Sequence, residues 1–151
     1  MTSAIGPPLP PAETRALVAA ARAQLGVRFR HQGRSMRGVD CLGIVAMSYT
    51  AIGRAVADKA AYGREPLRQG LRAGLIENLG QPASLDSMQA GDVAFMRFAG
   101  EPTHIGILGD YPYGGLSLIH AYAGARRVVE HRLDDAWRAR IVEVFRGAAN
   151  R

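Results

Sequence analysis

One segment constrains the fold more than any other. From Cys41 to Ile52 the chain reads Cys-Leu-Gly-Ile-Val-Ala-Met-Ser-Tyr-Thr-Ala-Ile, with Asp40 in front and Gly53 behind. An aspartate suits the N-cap because its carboxylate accepts from the free N–H groups of a first turn. A glycine suits the exit because it adopts the left-handed conformation that ends a helix. Between these two signals the helix is apolar on most faces, so it cannot lie on a surface. It belongs at the centre of the domain, and the remaining chain must build the layers around it.

The flanking sequence supplies those layers. Residues 1–12 read as a proline-rich extended tail. Leu17, Val18, Ala21 and Leu25, with Gly26 behind them, predict a first helix over Glu13–Leu25, and residues 26–40 read as loop. A third helix is expected from Pro66 to Leu79, with Leu67, Leu71, Leu75, Ile76 and Leu79 on one side. After Gln81-Pro82 the pattern changes. Val93–Phe98, His104–Gly109, Leu116–Tyr122, Arg126–Arg132 and Arg140–Arg146 are short and rich in β-branched or aromatic residues. Tyr111-Pro-Tyr-Gly-Gly115 reads as a hairpin turn, Gly124 marks another, and a helical turn is expected at Asp134–Arg138. Helices first and an antiparallel five-stranded meander second make an α+β domain over residues 13–147, followed by a short tail at 148–151.

Composition excludes several classes. With 48% hydrophobic and 21% charged residues in 151, the chain is neither disordered nor fibrous and holds one domain. Its single cysteine, Cys41, rules out an internal disulfide. The net charge is +6, and Lys59 is the only lysine, so the positive charge is nearly all arginine. Arginine forks match carboxylates and phosphates in pairs. However, the basic stretch holding Arg28, Arg30, Arg34 and Arg37 is short and carries no aromatic stacking platform, so nucleic acid is not the expected partner. The first eleven residues lack a basic and then apolar leader, and no apolar run approaches the roughly 20 residues that span a bilayer. Synthesis and retention in the cytoplasm are therefore expected, without membrane insertion.

The chemistry-bearing residues are few. Cys41 falls in the first turn of the apolar helix, where free N–H groups and the positive end of the dipole favour a thiolate. Gly43 costs that helix about 1 kcal/mol relative to alanine and leaves room for a close approach. A cysteine nucleophile needs a base. His104 opens one strand and His120 lies within the next, so antiparallel pairing can set the two imidazoles side by side, one as base and the other orienting it. His31 and His131 read as solvated surface residues. The residue types leave other readings open: a buried, inert cysteine, and histidines that are ordinary polar strand residues. A zinc site of Cys41, His104 and His120 lacks the close ligand pair that such sites usually show.

A resemblance bears on the choice. Leu25-Gly-Val-Arg-Phe-Arg-His-Gln-Gly33 followed by Gly38-Val-Asp-Cys-Leu-Gly-Ile-Val45 is similar to the nucleophile region of NlpC/P60 cell-wall peptidases. Gln89-Ala-Gly-Asp-Val-Ala-Phe95 resembles that family's Gly-Asp strand entry, and Thr103-His-Ile-Gly-Ile-Leu108 its first histidine strand. Ile119-His-Ala121 resembles its second. The resemblance implies a papain-like core with Cys41 as nucleophile, His104 as general base and acid, and His120 orienting His104. It implies hydrolysis of a peptidoglycan stem-peptide amide, commonly between D-γ-glutamyl and a diamino acid, with no metal or organic cofactor. Arg30 and Arg34 are suited by charge to the substrate's carboxylates.

The chain departs from the family pattern at two places. Phe29 stands where many relatives have tyrosine, and Leu42 where many have serine, while Asp40 is kept. In some relatives these three positions read a free amino terminus; the expected substrate contacts in this chain are Asp40, Phe29 and Arg30. The expected oxyanion donor is the Cys41 backbone N–H, with a second donor unassigned. Asp-Cys-Leu-Gly in a small domain resembles the branch of tail-tip peptidases carried by phages and gene transfer agents. That branch implies tail-tip or baseplate hub proteins as partners, a particle-borne location and action in the target cell's periplasm. The runner-up expectation is an inactive structural or wall-binding module of such a tail.

Overall fold

The computed structural model describes residues 9–54, 56, 70–100 and 103–146. Helix α1 (Pro11–Arg22) begins with a proline in its first turn, where a missing N–H removes no helical bond. It starts two residues before the predicted Glu13 and ends at Arg22 rather than Leu25. Residues 26–29 then run beside a later strand: the Gly26 N–H donates to the Val128 carbonyl at 3.0 Å and that of Phe29 to Arg126 at 2.9 Å. The stretch expected to be loop also contains a small hairpin, β1 (Arg34–Ser35) and β2 (Gly38–Val39), with Arg34 opposite Val39.

The apolar helix is α2 (Cys41–Ala51), and it is capped as the sequence predicts: Asp40 Oδ1 accepts from the Gly43 N–H at 2.8 Å. Ile44 and Tyr49 are wholly buried. Helix α3 (Gly70–Leu79) buries Leu71, Leu75 and Leu79; the predicted Pro66–Gln69 portion, with Leu67, lies outside the described residues. Among the described residues no helix is long and apolar enough to cross a membrane.

The second half is an antiparallel sheet of β3 (Val93–Met96), β4 (His104–Asp110), β5 (Leu116–Tyr122), β6 (Arg127–Arg132) and β7 (Ile141–Phe145). Its order is β6-β5-β4-β3-β7, a meander whose last strand returns beside the first. The β4–β5 turn closes where Gly114 and Gly115 take φ of +97° and +77°, which side chains resist. At the β5–β6 turn the left-handed residue is Arg126, and a one-turn helix α4 (Asp135–Arg138) capped by Asp134 precedes β7.

Strand alternation splits the interior into two layers. Ile105, Ile107, Ile119, Ala121 and Val128 pack with Leu17, Val18, Ile44 and Cys41 of α1 and α2. Met96, Leu108, Leu118 and Val144 pack on the other side with Leu133, Ile141 and the half-buried Trp137. Because β4 and β5 are covered on both faces, they read as almost unbroken apolar runs. Arg22 ties α1 to the sheet by a fork onto Glu130 of β6 at 2.8–3.3 Å. Arg146 does the same for the buried Asp92 at the entry to β3.

Candidate active site

Cys41 occupies the first position of α2 and is 8% exposed. The backbone N–H groups of Leu42 and Ile105 are directed at its sulfur, so the thiol lies at the His104–Ile105 step of β4. The expected thiolate is not the resting state. Burial, with the Asp40 carboxylate adding to it, pushes the thiol up to about 12, outweighing the two N–H groups and Arg34. The helix end favours charge, but a sulfur removed from water loses more solvation than one turn of N–H groups restores.

His104 and His120 meet as the strand reading predicts. His104 Nε2 lies 2.7 Å from His120 Nδ1, and both side chains are buried. Gly106 makes room for the pair: a Cβ there would stand 2.9 Å from the His120 Cβ and 2.8 Å from Leu118 Cδ1. Aromatic rings enclose the imidazoles. Tyr122 stacks on His120 at 5.2 Å and 15°, Trp137 meets His120 edge-on at 5.2 Å, and Phe98 lies 5.0 Å from His104. Burial holds His104 down at about 4, and burial with the neighbouring histidines holds His120 down at about 2. Burial thus favours the neutral thiol and the neutral forms of His104 and His120. Among the described residues no hydrogen bond joins Cys41 to His104; they meet through the backbone of β4.

His131 does not sit apart on the surface, as the sequence reading had it. Its Nε2 lies 3.0 Å from His120 Nε2, and its ring packs 4.7 Å from that of Trp137. The charged residues before it masked the alternation of β6, in which Leu118 pairs with His131. That register puts His131 and His120 on one face, and it is not legible without the strand pairing.

The expected substrate contacts fare differently. Asp40 is buried and serves the protein itself: besides capping α2 it accepts from Arg34 Nη1 at 2.8 Å and from the Gln32 N–H at 2.9 Å. Arg34 is thereby committed to Asp40, and it also donates to the Gly33 carbonyl at 2.9 Å. Phe29 is half-buried, with its backbone bridged to Val39, and Arg30 is exposed. The space at Gly43 is taken by the protein's own chain, since a Cβ there would fall 2.3 Å from the Gly33 carbonyl oxygen. An apolar cavity of about 330 Å³ between α2 and α3 is lined by Leu42 and Ile105, the residues that flank the thiol. Among the described residues no group of three or more His, Cys, Asp or Glu is placed to hold a metal ion.

Comparison with known proteins bears on the fold and the family. No curated protein matches the sequence significantly. Solved structures do match in fold. An NLP/P60-family protein from Staphylococcus aureus, similar to a lipoprotein, is 17% identical with a TM-score of 0.67 over 93% of this chain and 43% of that one. The NlpC/P60 domain of the peptidoglycan hydrolase SagA is 23% identical with a TM-score of 0.61, covering 87% of this chain and 97% of that domain. The peptidoglycan hydrolase RipB of Mycobacterium tuberculosis is 17% identical with a TM-score of 0.61, covering 91% and 68%. The chain thus spans less than half of the Staphylococcus aureus protein. The family model for NlpC/P60 matches residues 26–146, which include Cys41, all three clustered histidines and the whole sheet, and on that match the chain belongs to the NlpC/P60 family.

Proposed function

We propose that this protein is a cysteine peptidase that cuts an amide of the peptidoglycan stem peptide. The observation that carries the proposal is the pairing of His104 with His120 at 2.7 Å on adjacent strands, at the same step of β4 whose N–H meets the Cys41 sulfur. Membership of the family supports it, as does the fold shared with two peptidoglycan hydrolases.

In this mechanism the neutral thiol passes its proton to His104 as sulfur attacks the amide carbonyl, so the resting site needs no preformed ion pair. Hydrogen bonds between a nucleophile and its base are often long in ligand-free sites and tighten when substrate arrives. The tetrahedral oxyanion is met by backbone N–H at the start of α2. His104 then protonates the departing amine as the C–N bond breaks, leaving a thioester on Cys41. Water, deprotonated by His104, attacks the thioester; the C–S bond breaks, His104 returns the proton to the Cys41 sulfur, and the new carboxylic acid leaves. His120 holds His104 in place throughout, and the apolar cavity beside Leu42 and Ile105 offers the substrate an unsolvated flank.

The bond we propose is the one between D-γ-glutamyl and a diamino acid, with exposed Arg30 at a substrate carboxylate. The Asp40-Cys41-Leu42-Gly43 sequence further supports delivery on a phage-like tail, docked on tail-tip or baseplate hub proteins and acting in the target's periplasm. A second reading, an inactive structural or wall-binding tail module, is favoured by the neutral thiol and by apolar residues at 29 and 42. One experiment separates the two: digestion of Gram-negative peptidoglycan by wild type and Cys41→Ala, with mass spectrometry of the fragments. Stem-peptide fragments from wild type alone establish the peptidase and locate its bond. Binding to the wall with no fragments from either protein establishes the module. Antibody labelling of purified particles tests the tail location, and an unlabelled tail tip would rule it out.

A further inference from the structure

The three imidazoles form a chain whose direction follows from its far end. His131 Nδ1 lies 2.9 Å from the backbone carbonyl of Arg132. A carbonyl oxygen only accepts, so Nδ1 of His131 carries the hydrogen. In its neutral form His131 has one N–H, so its Nε2 is then an acceptor. The group facing it at 3.0 Å, His120 Nε2, must then donate. This leaves His120 Nδ1 as an acceptor, and His104 Nε2, 2.7 Å away, donates to it. The proton of His104 is thereby held on Nε2, and its Nδ1 keeps a lone pair.

We infer that His131 is a positioning residue of the site: anchored on the Arg132 carbonyl, it holds His120 and His104 in the tautomers that leave His104 Nδ1 free to act as base. Among the described residues no other hydrogen bond reaches the His104–His120 imidazole pair, so without His131 the direction of the chain is not set. His120 can then carry its hydrogen on Nδ1 and donate it to His104 Nε2, which moves the His104 proton to Nδ1 and removes the base. Trp137 supports the arrangement by packing on both His120 and His131. Among the described residues, the ionisable side chains against this cluster are Cys41 at the His104–Ile105 step, Tyr122, stacked on His120, and Arg140, whose guanidinium lies 5.6 Å from the Trp137 ring centre. Arg132, next along β6, turns its guanidinium to Tyr111 instead. The tautomer assignment rests on the hydrogen bonds alone, whereas its catalytic consequence rests on the peptidase reading.

Two substitutions separate position from bulk. His131→Phe keeps a ring against Trp137 but removes both nitrogens. His131→Gln restores an acceptor for His120 and a donor for Arg132. Long-range proton–nitrogen NMR of labelled protein near neutral pH reads the tautomers directly. Wild type is expected to show hydrogen on Nε2 of His104 and His120 and on Nδ1 of His131, and His131→Gln the same for the first two. In His131→Phe the His120 and His104 tautomers become mixed. On a stem-peptide substrate kcat should fall about tenfold or more in His131→Phe, a part of the roughly 10²–10⁴-fold that a general base supplies, with KM unchanged and rescue by His131→Gln.

Hydrogen on Nδ1 of His120 in wild type would overturn the inference, as would a His131→Phe protein with unaltered tautomers and kcat. Should His131→Phe fail to fold, the wild-type and His131→Gln spectra still decide. The stated tautomers in a wild type that cuts no peptidoglycan would sink the peptidase reading and leave the positioning role intact. An active wild type whose tautomers ignore residue 131 would do the reverse.

Discussion

His104 Nε2 and His120 Nδ1 lie 2.7 Å apart although sixteen residues separate them in the chain. The β4–β5 hairpin creates this contact, and the absent side chain of Gly106 keeps it open. Both rings are neutral because the sheet, Phe98, Tyr122 and Trp137 keep water from them. The state of the site is thus a property of packing, and most of what can be tested follows from that.

The buried histidines make the fold sensitive to acid. In the unfolded chain a histidine binds its proton near pH 6.5, while His104 in the fold does so only near 4. Between those values the unfolded state holds more protons, so stability declines as pH falls from about 6.5 toward 4 and is fully present above that window. His104 alone accounts for about 3 kcal/mol across the window at about 1.4 kcal/mol per pH unit, and His120 works in the same direction. Urea midpoints at a series of pH values should fall below neutrality. In a His104→Gln, His120→Gln protein the fall should be largely gone.

The raised thiol makes Cys41 slow to react at rest. Alkylation by iodoacetamide at neutral pH should be slower in the native protein than in urea-unfolded protein, because the thiolate is the reacting form. A native rate above the unfolded one would show that the site holds a thiolate after all.

Two glycine substitutions should move in opposite directions. In Gly106→Ala the new methyl has backbone and His120 to displace, so activity should fall at least about tenfold with a loss of about 1–3 kcal/mol of stability. In Gly74→Ala, in the middle of α3, the methyl meets open space and should stabilise the helix by about 1 kcal/mol. Thermal melts of the two variants beside wild type check both signs.

Asp40 serves the nucleophile through the backbone. Asp40→Ala removes the α2 cap and strands Arg34, at a cost of about 3 kcal/mol. Asp40→Asn keeps an acceptor for the Gly43 N–H and should cost less. If Asp40→Ala were as stable as wild type, the buried ion pair would have no part in holding the loop on the helix.

The order of the elements was legible in the chain itself. Asp40 before an apolar run and Gly53 after it define α2, because a cap and an all-round apolar surface are local properties. The five β-rich segments separated by Gly, Pro and Asp define the strands to within two residues, since alternation and turn chemistry are also local. The candidates Cys41, His104 and His120 follow from the same reading and from the family motifs. Ionisation and partnership were decided elsewhere. Burial against β4 at the start of α2 pushes the thiol up by more than its helix end can compensate. Arg34 is spent on Asp40 because a hairpin folds it back. His131 belongs to the histidine chain because β6 pairs with β5 in one register, and a slip of one residue would have turned it to the other face. A sequence specifies what each segment will form, whereas distance from water and the pairing of remote strands exist only once the segments have packed.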